Sequence, residues 1–301
     1  MSLVERALEK ARAANATGTA ATKPVDSATP NRRRDEPATG KYPALVAFPR
    51  VAENPMVHIT QAQLEANGLR ASRGLLHQQT AEYRHVKRQL IASMAELKSD
   101  YRQVILVTSA LAGDGKTHSA ANLALSLAME PDFSVLLIDA DVAKPRLSRI
   151  FGLEGRPGLM DALARHDLNP ESLIHTTNIE GLSLLPAGET HSSATELFAS
   201  ARMHDVVCNL SRPVNRIIVV DSLPLLLATE SRALLPCAGQ IVVVVRADVT
   251  PAAAVRQALE LVGEDANVNL LLNACVRDGF GSTRYSGYDY NYTYGKASDA
   301  S

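Results

Sequence analysis

The chain has 301 residues, a formal net charge of −1 and 46 % hydrophobic residues. That is enough to build one large domain with appendages, or two small domains, and the near-zero charge gives no reason to expect nucleic acid or an anionic membrane as a partner. Cys208, Cys237 and Cys275 are far apart and form no Cys-x-x-Cys pair, which argues against a metal knuckle or disulfide framework and suits a reducing compartment.

Glu5, Glu9 and Lys10 interrupt any apolar region at the start of the chain, unlike a signal peptide. No apolar run approaches the ~20 residues a membrane helix needs. The expected location is the cytoplasm, with membrane contact only through a partner.

Residues 2–14 read as a short amphipathic leader helix, with Ser2 and Glu5 at capping-box spacing and Val4, Ala7, Leu8 and Ala11 on one face. Residues 15–43, rich in Ala, Thr, Pro, Asp and Arg, lack periodicity and read as a disordered linker. A helical segment at 44–77 follows, with a helix over 60–67 that Thr60 and Gln63 cap and Gly68 ends. Residues 78–97 predict a longer helix with Tyr83, Val86, Leu90 and Met94 on an apolar stripe.

From residue 103 the pattern changes. Apolar runs at 103–108, 134–139, 182–186, 216–221, 240–246 and 267–273 read as buried strands, and helices are expected at 116–130, 193–210 and 251–263. Continuous hydrophobic strands between helices indicate a doubly wound, mainly parallel α/β sheet covered on both faces, here spanning residues 78–277. Residues 278–301 turn polar and glycine-rich and read as a flexible tail.

The strongest local signal lies between the first strand and its helix. Residues 110–117 form a P-loop in which Ala110 takes the place of the usual first glycine. Gly113 and Gly115 let the backbone wrap phosphate oxygens, with N–H groups at the positive end of the helix dipole. The expected nucleotide contacts run through Ala112, Gly113, Asp114, Gly115, Lys116, Thr117 and His118. Lys116 reaches the β- and γ-phosphates and Thr117 ligates Mg²⁺.

Two further strands end in acid, at Asp139-Ala-Asp141 and at Asp221. Ligands of open α/β sheets bind at the carboxyl ends of strands, so these carboxylates belong beside the P-loop. Thr117, Asp139 and Asp221 are the candidate Mg²⁺ ligands. Lys116, Asp139 and Asp141 are the candidate catalytic residues, with either aspartate able to accept a hydroxyl proton. As strand residues, Asp139 and Asp141 are expected to share a face. Five of the eight tyrosines, Tyr285, Tyr288, Tyr290, Tyr292 and Tyr294, cluster among Gly, Ser, Asp, Asn and Thr. Such surroundings build no core and suit exposed phosphoacceptors.

Taken together, SLVERALEK at 2–10, AEYRHVKRQL at 81–90, VTSALAGDGKT at 107–117, LLIDAD at 136–141, GLSLLPAG at 181–188, VVDSLP at 219–224 and the tyrosine cluster resemble the bacterial tyrosine kinases. The likeness is greatest to the autokinases of exosortase-type exopolysaccharide operons. The resemblance implies ATP and Mg²⁺, Walker A, A′ and B motifs at 110–117, 135–141 and 217–221, and autophosphorylation in trans within a homo-oligomer. It also implies activation by the cytoplasmic segment of a membrane chain-length regulator of polysaccharide export, which recruits the kinase to the inner face of the plasma membrane. The family's Glu-x-x-Arg-x-x-Arg helix, implied to hold subunits in a ring, reads Ala81, Arg84 and Lys87 here, leaving Glu82 and Arg88 for that contact. Ala143 stands where the family often has Arg, and Leu223 replaces a proline after the second acidic strand. The rival is a regulatory ATPase switch like the septum-positioning and plasmid-partition ATPases. Those carry a lysine early in the P-loop, where this chain has Leu111, and lack a tyrosine tail. A third reading is a catalytically idle module that binds nucleotide and tethers a membrane partner.

Overall fold

The computed structural model describes residues 54–69 and 76–275. The leader helix, the linker, residues 44–53 and 70–75 of the 44–77 segment and the five-tyrosine cluster lie outside the described residues. Within them the chain forms β1 (Met56–Val57), α1 (Gln61–Ala66), α2 (Leu76–Glu96), β2 (Val104–Ser109), α3 (Lys116–Leu127) and β3 (Ser134–Asp139). Next come α4 (Arg146–Ile150), α5 (Leu159–Ala164), β4 (His175–Thr177), β5 (Leu182–Leu185), α6 (Ala194–Phe198), α7 (Ala201–Leu210) and β6 (Arg216–Asp221). The order closes with α8 (Thr229–Leu234), β7 (Gln240–Arg246), α9 (Ala252–Val262) and β8 (Val268–Asn273).

The strands form one sheet in the order β1-β4-β5-β3-β6-β2-β7-β8. Every neighbouring pair is parallel except β4 and β5. Alternate residues of each strand feed two separate cores, one on each face. On one face Leu90 and Met94 of α2 and Leu123 and Leu127 of α3 share a core with Ile105, Val107, Leu137 and Val219. On the other, Leu159 of α5, Val206 and Leu210 of α7 and Leu259 of α9 share one with Leu106, Leu136, Ile218 and Val220. Burial on both sides is why β2, β3 and β6 read as unbroken apolar runs.

The expected helix at 60–67 is present as α1, with the reciprocal Thr60–Gln63 capping box formed. Two elements differ from the expectation. The helix expected over 193–210 is two helices, α6 and α7, because Ser200 adopts an extended conformation at ψ 157° and its hydroxyl donates back to the Leu197 carbonyl. Strands β1 and β4 had no counterpart in the sequence reading. They join the N-terminal segment to the sheet, and the Asn178 side chain ties down both Ile59 N–H and Ile59 C=O, at 2.7 and 3.1 Å.

Lys87 takes an unexpected role. Its ammonium is buried, donates to Ser126 O at 2.8 Å and pairs with Glu130 at 2.6 Å, locking α2 onto the end of α3. It therefore faces inward, whereas Glu82, Arg84 and Arg88 are exposed on α2. Replacing Lys87 by the near-isosteric Met removes both interactions. The expected loss is about 1–2 kcal/mol in urea unfolding; an unchanged midpoint contradicts this role.

Candidate active site

Because β2, β3 and β6 are parallel, their carboxyl ends emerge at one edge of the sheet. The register sets Asp221 opposite Asp139 on β3 and opposite Val107 on β2. From β2 the chain enters the loop and then α3, which starts at Lys116 after Gly115 at φ 96°. Gly113 is also left-handed, at φ 88°, and nothing lies within 4 Å of where its Cβ would be. The first N–H groups of α3 have no intrahelical acceptor. Backbone donors at the start of α3 thus face the open side of the loop, where the sequence places the nucleotide contacts.

Lys116 and Thr117 are both largely buried, and Lys116 Nζ lies 3.6 Å from Asp141 Oδ2. Asp221 is completely buried. Neither of its carboxylate oxygens has a hydrogen-bond partner. Burial first, and the charge of Asp139 second, push its pKa up to about 8, while Lys116 and the nearby Thr117 hydroxyl pull the other way. An enclosed, unpartnered carboxylate next to a threonine hydroxyl and a lysine suits a hard cation carried in with phosphates. Among the described residues no group of three or more His, Cys, Asp or Glu could hold a metal ion. Mg²⁺ does not require one, since it is commonly held by one or two carboxylates plus phosphates and water. The residues therefore fit Mg²⁺ and a nucleotide, with Lys116, Thr117 and the loop N–H groups to hold phosphates and Asp221 to serve the metal.

The other sequence candidates separate into distinct roles. Asp139 lies in the same buried layer, but one oxygen accepts from Ser148 N–H and Oγ at 2.7 and 2.8 Å and the other from Asp141 N–H at 3.2 Å. Burial still dominates these bonds and raises its pKa to about 6. β3 ends at Asp139, so Asp141 lies in the following turn, where the N–H of Lys144 donates to it at 3.1 Å. The two aspartates therefore do not share a strand face; the Asp139 side chain folds back onto its own chain and turns it. The Asp114 carboxylate binds Leu111 N–H and the Thr250 hydroxyl. The His118 ring lies against Gly68 O at 2.9 Å, linking α3 to the segment after α1. Ala112 and Gly113 are exposed on the rim of the loop. A cavity of about 700 Å³ opens beside Gly113 and His118, lined also by Tyr83, Val86, Arg246 and Asn273.

Sequence reasoning missed Ser148, Thr250 and Asn273. Ser148 lies within α4, and Thr250 and Asn273 lie just past or at the ends of β7 and β8; their partners are 9, 136 and 159 residues away.

A family profile described as ParA: NUBPL iron-transfer P-loop NTPase matches residues 100–206. EpsB of Ralstonia nicotianae, described as a tyrosine-protein kinase, is 30 % identical over 206 residues, covering 65 % of this chain and 27 % of EpsB. The succinoglycan biosynthesis transport protein ExoP of Rhizobium meliloti is 33 % identical over 204 residues, covering 64 % of this chain and 25 % of ExoP. The chain thus spans about a quarter of the length of these curated relatives. The solved kinase domain of VpsO aligns with a TM-score of 0.51 at 31 % identity, covering 61 % of this chain and 94 % of that domain. The chain belongs to the bacterial tyrosine kinase family. The ParA-type profile describes the P-loop fold, which the rival ATPase switches share. No helix among the described residues of this family member is long and apolar enough to cross a membrane.

The metal-free site has a definite pH dependence. Asp221 and Asp139 both have folded-state pKa values above the ordinary 3.8. The folded state therefore binds more protons than the unfolded one, and stability falls as pH rises from about 4 to about 8. Asp221→Asn removes the larger share. Thermal melting of the metal-free proteins should show the wild type losing more stability between pH 5 and pH 8 than the variant; parallel curves contradict the assignment.

Proposed function

We propose that the chain is an ATP-dependent protein tyrosine kinase that phosphorylates its own cluster, Tyr285, Tyr288, Tyr290, Tyr292 and Tyr294, in trans within a homo-oligomer. The observation that carries the reading is the enclosed carboxylate of Asp221, with no partner at bonding distance, beside Lys116 and Thr117 of the phosphate loop in a chain of this family.

In this reading the loop N–H groups and Lys116 hold and orient the terminal phosphates of ATP. Mg²⁺ supplies charge neutralisation on the phosphate oxygens when bound. Thr117 and Asp221 would hold it or its water shell, with Asp221 as the carboxylate in that state. The ammonium of Lys116 stabilises negative charge as the phosphoryl group passes to the tyrosine oxygen. Of the two candidate bases we favour Asp141 for taking the phenolic proton, because the oxygens of Asp139 already accept three donors. Asp139 then acts by shaping the turn that presents Asp141. The cavity beside Gly113 offers room for the nucleoside end of ATP.

The relatives extend the reading to biology. ExoP is named for succinoglycan biosynthesis and transport and EpsB as a tyrosine kinase. We place this chain in control of exopolysaccharide chain length or export. The activating partner is the cytoplasmic segment of a membrane chain-length regulator, which brings the kinase from the cytoplasm to the inner face of the plasma membrane.

The test is to incubate the protein with Mg-ATP, with and without the cytoplasmic segment of a co-encoded chain-length regulator, and to map phosphotyrosine by mass spectrometry. Phosphate should appear within 285–294 and be lost in Lys116→Met. Asp141→Asn should reduce the rate by at least about a hundredfold while leaving nucleotide binding largely intact. Steady ATP hydrolysis with unmodified tyrosines, even with the partner segment, contradicts the kinase reading and favours a regulatory ATPase.

A further inference from the structure

The P-loop carries an acid where it is to receive a polyphosphate. Asp114 stands between Gly113 and Gly115, yet its side chain is buried, at 3 % exposure. One carboxylate oxygen accepts the N–H of Leu111 at 3.1 Å, across the loop's own turn. The other accepts the hydroxyl of Thr250 at 2.7 Å, from the turn between β7 and α9. That hydroxyl in turn accepts Arg246 N–H at 3.0 Å. The backbone carbonyl of Asp114 accepts the side-chain amide of Asn273, at the end of β8, at 2.9 Å. A Cβ on Gly115 would lie 2.0 Å from that same amide, so the loop and Asn273 are in close contact.

We propose that Asp114 is a positioning residue rather than a nucleotide ligand, and that with Thr250 and Asn273 it fixes the phosphate loop in its binding shape before the nucleotide arrives. The proposal rests on the nucleotide-binding reading above. Three arguments support it. A carboxylate facing the phosphates would repel them, and one turned away and supplied with donors does not. An ionised acceptor makes stronger hydrogen bonds than a neutral one, which suits a clamp more than a Ser or Ala at this place. A loop with two left-handed glycines has much conformational freedom, and ordering it only at binding would subtract from affinity. The clamp comes from β7 and β8, whose strands are themselves held in the sheet next to β2, so the loop inherits the rigidity of three neighbouring strands.

A positioning role predicts a specific kinetic pattern. The affinity for MgADP and the steady-state constants for ATP turnover are to be measured for wild type, Asp114→Ala, Asp114→Asn, Thr250→Val and Asn273→Ala. Asp114→Ala should bind MgADP about tenfold or more weakly, from loss of two charge-assisted bonds. KM for ATP should rise by a similar factor while kcat changes less. Asp114→Asn should recover part of the affinity, since its carbonyl can still accept Leu111 N–H and its amide can donate to the Thr250 hydroxyl. Thr250→Val, nearly isosteric, should weaken binding by a smaller factor, and the Asp114→Ala/Thr250→Val double variant should resemble Asp114→Ala alone. Unchanged affinity in folded Asp114→Ala, or a fall in kcat with KM unaltered, overturns the proposal. If Asp114→Ala does not fold, wild-type affinity in both Thr250→Val and Asn273→Ala overturns it equally. A wild-type protein that does not bind MgADP removes the nucleotide reading itself, and this proposal with it.

Discussion

The Asp221 carboxylate is enclosed by the sheet and its flanking residues, and neither oxygen has a hydrogen-bond partner at bonding distance, with the Thr117 hydroxyl nearby. An ionised group in that setting is costly, and the folded protein lowers the cost by holding its proton up to about pH 8. The strain is local and directional. Thr117 and Lys116 lie on the side of the phosphate loop, so relief comes from positive charge entering there. That constraint links the apolar run of β6, which desolvates its own terminal acid, to the chemistry expected at the sheet edge.

The scaffold makes the arrangement possible by register. β3 and β6 pair so that Asp139 and Asp221 sit side by side, and β2 runs next to β6 before opening into the loop. Asp139 then becomes the hinge pin of the 139–148 turn through Ser148, whose hydroxyl also accepts Ala187 N–H at 3.0 Å from the loop after β5. Asp141 is presented to Lys116 from that turn. Three acids near one another thus differ in their surroundings. One is unpartnered, one is engaged in holding backbone, and one is paired with the loop lysine. On the other side of the loop, β7 and β8 hold Asp114 in place.

Much of this was legible in the sequence because it is local. The apolar runs gave β3, β6 and β7 with their ends in place, and Gly-Asp-Gly-Lys-Thr marked the loop without help from the rest of the chain. The Thr60–Gln63 cap is a contact three residues long and was read directly. Strands β1 and β4 are two and three residues long, too short to show a period, and exist because each has a partner strand. The break at Ser200 lies within a stretch of good helix formers and depends on one hydroxyl. The directions of Asp114, His118, Asp139 and Lys87 were not legible either. Each is set by a partner that only the fold brings near, and residue type at a strand end or on a helix does not say which way a side chain turns.

The claim that Asp221 is a protonated acid waiting for a cation has a direct calorimetric consequence. Binding of MgADP at pH 7 should be measured in two buffers of different ionisation enthalpy, for wild type and for Asp221→Asn. The account predicts that the wild type releases about one proton per site more than the variant, as the incoming Mg²⁺ ionises the carboxylate. Equal proton release by the two proteins, with MgADP bound by both, would contradict it.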